Sequence, residues 1–470
     1  MELINLTAIE IKDLLKAEKI SPLECLDALE KRISQVDNKV NALPILCFER
    51  ARDHAKKLMN KDVSSRGNLF GLPVPIKDLN EVSGVKCTRG SSIYKDNISE
   101  DSDYFVKIIE KNGGLIYAKS NTPEFGAGAN TFNDIFGATL NPWNTSLSSA
   151  GSSGGAAVAL ATGMAWVAHG NDMGGSLRNP ASFCSVVGMR PSPGRVASKV
   201  SGITGSILGV EGPMARNIED LALFFDAMTG SHKKDPISMS KESASFLNFT
   251  RSLWKPRKVA FSTDLGLPPV DNEVKEIVKS CATELEKNGV IVEEVHPDLS
   301  EAPECFQVLR SLLFFVNLNY EYINHKEKLK PEIIWNIEKG INLKVDEIVK
   351  AEIQRTTLFN RMQTFFNDYD LLLSPATIVP PFPVEERYLK SCSGYQFDTY
   401  IDWLNIVSAI SLTCSPALCM PAGFTKNKLP VGVQVIGPLR DEEKLLAGGK
   451  FIEDCLNIKN KLPIEPLHYI

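Results

Sequence analysis

The chain has 470 residues, 43% of them hydrophobic and 23% charged, with a formal net charge of −5. A sizeable core is available, and the length allows two or three domains or one large α/β enzyme domain. The acidic balance speaks against a nucleic-acid-binding chain, and no apolar run reaches membrane-spanning length.

Thr7-Ala8-Ile9-Glu10 and Ser21-Pro22-Leu23-Glu24 both fit the capping box, the second with proline at the first helical position. Leu26, Leu29, Ile33 and Val36 then recur at helical spacing. The first 60 residues read as helices covering the rest, in preference to a lid or a dimerisation element. GLPVPIKDLNEVSGV, after Phe70, reads as a buried strand that ends at Lys77 and leads into a loop. A buried ammonium is expensive without a partner. The ordinary alternative is a lysine that snorkels to the surface.

Phe105-Val106 and Ile108-Ile109 suggest a helix that ends near Gly113-Gly114. Leu115-Ile116-Tyr117 is then a strand and KSNTPEFG a loop. The same alternation recurs at 156–165 with 166–169, and at 273–288 with 290–295, where Asn288-Gly289 stops the helix. It predicts an α/β layered fold with a largely parallel or mixed central sheet. Residues 231–256 are polar and weakly periodic, as in an exposed connection. A strand starts at Lys258, residues 300–365 are mostly helical, and Asp370–Pro375 is a strand ending in a turn. SLTCSPALCMPAGF and LPVGVQVIGP form a hairpin around Lys-Asn-Lys. There is no fixed-period repeat.

The ten cysteines form no C-x-x-C pair and sit mostly in apolar contexts, which suits reduced thiols in the cytoplasm. The N-terminus lacks the charged and apolar regions of an export signal, so no export is expected.

Chemistry concentrates between Ala150 and Pro193, where two Gly/Ser clusters flank a small-residue helix and a short strand. Glycine lets backbone come close to a ligand, and serine adds a hydroxyl that can attack. Gly151–Gly155 matches G-x-S-x-G, the nucleophile elbow, with Ser153 as nucleophile. The elbow needs an apolar strand before it, and NPWNTSLSSA is not one. No phosphate-binding loop is present, and the six histidines show no metal-ligand spacing. His169, in an apolar strand, suits a core role. A second arrangement joins both loops to Lys77. A lysine kept neutral by burial can activate a serine, and Met173-Gly174-Gly175-Ser176 can aim several N–H groups at one oxygen. The ordinary alternative for 172–176 is a tight glycine turn.

GSSGG, followed by GNDMGGSLRNPASFCSVVGMRPSPGRV, resembles the signature of the amidase signature family. GLPVPIKDL, AKSNTPEFG, EGPMARNIEDLAL, DLLLSPA and SPALCMPAGFTKNKLPVGVQVIGP resemble its other blocks in the right order, from about residue 7 to 440. The resemblance implies a single α/β/α domain over 1–470 with a mixed central sheet. Its parts would be covering helices (1–60), a signature core (65–230), the connection (231–256) and a second part of the sheet (257–470). It also implies a Ser–cisSer–Lys triad. Ser176 would be the nucleophile, Ser152 the bridging serine after a cis peptide, and Lys77 the base. Backbone N–H groups of Met173, Gly174, Gly175 and Ser176 would hold the oxyanion. Asp172 and Arg178 would buttress the loop, with Ser153 behind them. The chain would hydrolyse a small carboxamide to acid and ammonia or amine, with no cofactor and no metal; a homodimer is left open.

The sequence departs from common family forms at Met173 (often Thr), at His169 and Asn171, at Arg190 (often Lys), and at Thr413-Cys414-Ser415-Pro416 (usually Thr-Gly-x-Pro). These leave the triad intact and bear on substrate. One alternative function is the A subunit of a glutamyl-tRNA amidotransferase, although TYIDWLNIVSAISLTCSPA looks more like the general amidases. Another is a non-catalytic binding protein on the same fold. Residues 300–400 and the Cys414 loop are expected to line the pocket, with Phe314, Phe315, Tyr320 and Trp403 as candidates for an apolar wall.

Overall fold

Both N-terminal capping boxes close. Ser21 Oγ accepts from the Glu24 amide at 3.2 Å, and the Glu24 carboxylate accepts from the Ser21 amide at 2.7 Å. Two amides that a first helical turn leaves unpaired are thereby satisfied. The helix Pro22–Val40 turns Leu26, Leu29, Ile33 and Val36 inward and stops at Asn41, which is left-handed. The structure, a computed structural model, describes residues 2–199, 202–242, 244–267, 269–458 and 462–468.

The central sheet has eight strands. From one edge they are Ile291–Glu294, Lys258–Phe261, Leu371–Pro375, Pro430–Ile436, Ala417–Phe424, Val187–Arg190, Val210–Ala215 and Val167–Asp172. The first two junctions are parallel and the other five antiparallel. The sheet is thus mixed, as expected, but mostly antiparallel. The C-terminal hairpin and the reversing strand Val210–Ala215 supply that character where crossover helices would have kept neighbours parallel. Helices cover the sheet, so the α/β fold stands.

A smaller sheet carries the lysine strand. Pro73–Lys77 pairs in parallel with Leu115–Ser120, placing Lys77 opposite Ser120, and Ile45–Leu46 closes the other edge. The lysine strand also runs alongside Val167–Asp172.

Two short buried helices fill the gap between the Gly/Ser loops and the sheet. Gly154–Ala161 is buried on every side. At Gly155 a Cβ would lie 2.4 Å from the Asn121 nitrogen and 2.5 Å from the Ala42 carbonyl, so backbone packs directly on backbone. Arg178–Cys184 is buried as completely. The 300–365 segment folds as three helices, Ala302–His325, Pro331–Ile341 and Val345–Phe365. The 231–256 connection is irregular apart from Phe246–Thr250, but it is not wholly exposed. Phe246 and Leu247 are buried, and Phe246 packs on Phe225 with ring centroids 4.7 Å apart.

All ten cysteines are free, and no helix among the described residues is long and apolar enough to cross a membrane.

Candidate active site

Strand alternation decides which groups meet Lys77. In Val167–Asp172, His169 and Asn171 lie two residues apart and share a face. His169 Nδ1 accepts from the Lys77 amide at 3.3 Å, and Asn171 Oδ1 lies 2.6 Å from Lys77 Nζ. Asp172 points to the other face, toward Arg178. The strand ends at Lys77, and its neighbour Asp78, in the turn that follows, pairs instead with Lys119 at 3.1 Å.

Lys77 is fully buried, and its Nζ meets three neutral groups: Ser152 Oγ at 2.7 Å, Ser153 Oγ at 2.9 Å and Asn171 Oδ1 at 2.6 Å. Burial pulls its pKa down to about 7, against a weaker upward pull from Glu211 and Asp172. Lys119 shows the contrast. It is equally buried, and desolvation pulls its pKa down, but Asp78, with smaller contributions from Cys87 and Cys47, more than offsets this and leaves it above the ordinary value.

The hydrogen bonds order the donors around Lys77. Ser153 Oγ donates to the Asn171 carbonyl at 3.4 Å, so its lone pairs face Lys77. Asn171 Oδ1 can only accept. A neutral amine has two N–H groups for these two acceptors. Its lone pair is left for the Ser152 hydroxyl. The peptide between Gly151 and Ser152 is cis.

Ser153, the serine of the G-x-S-x-G match, is fully buried and tied to Lys77 and Asn171. Ser152 and Ser176 instead line a common cavity of about 300 Å³. Ser176 lies at its wall just before the buried helix Arg178–Cys184, and its carbonyl accepts from the Ser153 amide at 3.1 Å.

The loop that carries Ser176 is shaped by one carboxylate. Asp172 accepts from the Gly175 amide at 2.9 Å and from the Leu177 amide at 3.1 Å. Arg178 clamps it through Nε at 3.0 Å and Nη2 at 2.8 Å, and Arg190 lies 3.6 Å away. Burial pushes the Asp172 carboxyl upward, but the two guanidinium groups overcome it and hold the pKa far below the usual range. Arg178 also reaches the Val407 carbonyl, Gln434 and Ser411. At Gly175, φ is +100°, and a Cβ would lie 2.5 Å from Val407 Cγ2. The loop therefore needs glycine there. The Gly175 amide is already turned to Asp172. Among the described residues the amides of Met173, Gly174 and Ser176 donate to no protein acceptor.

Other expected residues fall differently. His169 is buried, stacks on Phe105 at 4.3 Å and bonds Glu211 at 2.8 Å, which makes it a support for the lysine strand. Phe314 lines the cavity. Tyr320 is exposed, Trp403 is buried in the core, and neither they nor Phe315 reaches the cavity. Cys414 is buried in a left-handed conformation, where glycine is favoured, and does not line the cavity either. Much of the wall comes instead from residues 192–199 and 203–211, which the sequence did not mark as pocket. Asn171, marked in the sequence only as atypical of the family, and Asp235, Arg310 and Asn317, not marked at all, are further polar groups of the cavity. The signal for Asn171 was its two-residue spacing from His169.

A family model described as Amidase matches residues 24–446. The A subunit of glutamyl-tRNA(Gln) amidotransferase from Halothermothrix orenii is 33% identical over 488 residues, covering 98% of this chain and all of its own. An acylamidase from Rhodococcus erythropolis is 30% identical over 472 residues, covering 98% of each. The crystal structure of a bacterial aryl acylamidase of the amidase signature enzymes superposes with a TM-score of 0.90 at 25% identity, covering 96% of each chain. The fold and these relatives make the chain a hydrolase acting on amide carbon–nitrogen bonds. The chain belongs to the amidase signature family.

Proposed function

We propose that this chain is a free-standing amidase that cleaves a small carboxamide to a carboxylic acid and ammonia or amine through an acyl-enzyme on Ser176. The observation that carries the reading is the 2.7 Å hydrogen bond between Lys77 Nζ and Ser152 Oγ, at a lysine with no carboxylate partner. A neutral Lys77 accepts the Ser152 proton while Ser152 takes that of Ser176. The Ser176 oxygen bonds to the amide carbon, and the charge on the carbonyl oxygen falls to backbone N–H groups of the 173–176 loop. With the Gly175 amide held by Asp172, those of Met173, Gly174 and Ser176 are the free donors among the described residues. The proton returns along the same path to the leaving nitrogen as the C–N bond breaks. Water then enters, gives its proton to the relay and attacks the acyl carbon. Ser176 leaves with the proton, and the acid is released.

Asp172, Arg178 and Ser153 hold this arrangement without touching the substrate. The ten free thiols support a cytoplasmic enzyme. A second reading is the A subunit of an amidotransferase, and the 33% identity with the Halothermothrix orenii protein favours it. Ammonia release by the purified chain decides between the two. The panel is aliphatic, aromatic and dicarboxylic amides plus glutamine, with Ser176→Ala as the blank. Release from simple amides, lost in the variant, is the expected result. Activity on glutamine alone, and only with added partner subunits, would favour the second reading.

A further inference from the structure

The cavity wall opposite the Gly/Ser loops belongs to the helix Ala302–His325. Arg310, Leu313, Phe314 and Asn317 follow the spacing i, i+3, i+4, i+7 and present one face of that helix to the site. Three of these suit any small organic substrate. Arg310 is different.

Six arginines are buried among the described residues: Arg32, Arg66, Arg178, Arg190, Arg195 and Arg310. The first five each pair with a carboxylate, namely Glu465, Glu18, Asp172, Asp172 again, and Glu442 with Glu242. Arg310, only 7% exposed, pairs with none. Its Nη1 contacts Met173 Sδ at 3.4 Å and its Nη2 donates to Tyr400 Oη at 3.0 Å. Its Nε has no partner. Phe314 and Tyr400 present ring faces to the guanidinium, with centroids 4.3 and 5.9 Å away. A guanidinium has five N–H donors. Here only a thioether and a phenol answer them.

The other charged groups of the cavity each have an ion-pair or hydrogen-bond partner of their own. Asp172 is clamped by Arg178 and Arg190. Glu211 accepts from His169 and Asn80. Asp235 accepts from the amides of Ser198 and Ile237, and Lys199 pairs with Glu81. Among the described residues, Arg310 is therefore the one buried cation of the cavity left without an anion. Met173, which it touches, begins the loop that carries Ser176. A buried guanidinium without a counterion is costly, and its fork matches the two oxygens of a carboxylate.

We propose that Arg310 is the specificity residue of this site, and that the substrate is an amide bearing a carboxylate away from the scissile bond. The proposal rests on the amidase reading for where the substrate lies, and its test separates the two. Hydrolysis of glutaramic acid is compared with that of pentanamide. N-butanoyl-β-alanine is compared with N-butanoyl-propylamine, to place the carboxylate on the acyl or the amine side. In parallel, glutarate binding to the Ser176→Ala protein is measured by calorimetry.

The expected result is an acid-over-neutral preference in kcat/KM of roughly 100-fold in at least one pair, carried mainly by KM. In Arg310→Met the ratio falls to near one and glutarate binding weakens by a similar factor. Arg310→Lys, which keeps the charge and loses the fork, recovers part of both and serves if the methionine variant does not fold. Equal rates on acidic and neutral amides, or a ratio unchanged by either variant, would overturn the assignment while leaving the amidase intact. Glutarate binding that depends on Arg310, in a protein that hydrolyses no amide, would uphold the assignment and remove the amidase reading instead.

Discussion

Lys77 ends its strand and Asp78 begins the turn that follows, and Asp78 forms its ion pair not with Lys77 but with Lys119 at 3.1 Å. Had the pair been Lys77–Asp78, the amine would be locked in its charged form and useless as a base. The change from strand to turn instead gives one buried lysine a carboxylate and the other three neutral partners. Two ammonium groups at the same burial thereby acquire opposite chemistry.

The first prediction concerns the rate. Because neutral Lys77 is the active form, kcat/KM rises with pH through about 7 and then levels. Asn171→Asp places a carboxylate where Oδ1 now lies 2.6 Å from Nζ. A nearby negative charge favours the ammonium, so the rising limb moves to higher pH by more than about one unit. A pH–rate profile of the two proteins checks this. An unmoved limb would mean that another group is titrating.

The same lysine leaves a mark on stability. The unfolded chain holds its Lys77 proton up to about pH 10.5, whereas the folded chain gives it up near 7. Between those values the unfolded state binds one proton more, so folding is favoured increasingly as pH rises. Below the window both states are protonated and the full cost of the buried charge is felt. Relative to Lys77→Met, the wild type gains up to about 1.4 kcal/mol per pH unit across the window. Urea unfolding of both proteins at several pH values reads the difference, and parallel curves would contradict it.

Asp172 should prove structural as well as functional. It joins the Gly175 and Leu177 amides to Arg178 and Arg190 in a dry interior. Asp172→Asn leaves two buried guanidinium groups without a carboxylate, at a cost of about 3–5 kcal/mol. Activity falls with it, since the loop before Ser176 loses its template. Chemical denaturation gives the first quantity. A loss under about 1 kcal/mol would mean that the clamp contributes little.

The residues of the signature were legible because they are dense, local and spaced within one stretch. Lys77 stood out as a lysine closing an apolar run, and Ser152 and Ser176 by their glycines. The layered fold followed from helix and strand alternation and from glycine stops such as Asn288-Gly289. The mostly antiparallel character of the sheet did not, because strand direction depends on which distant partners meet. The cavity wall was illegible for the same reason. Its portions 192–199 and 203–211 have little periodicity, and Arg310 arrives from a helix more than a hundred residues beyond the loops. Its spacing with Leu313, Phe314 and Asn317 was visible, but nothing local said what that face would meet. Phe315 and Tyr320 of the same helix turn away from the cavity for want of that register.

The relay through Ser152 is tested most directly without knowing the substrate. The protein is treated with a fluorophosphonate, and the adduct is mapped by peptide mass spectrometry as a function of pH. The account predicts a single adduct on Ser176, formed at a rate that rises through pH about 7, and strongly slowed in both Lys77→Met and Ser152→Ala. An adduct on Ser153 or Ser152, or a rate on Ser176 that ignores pH and Lys77, would contradict it.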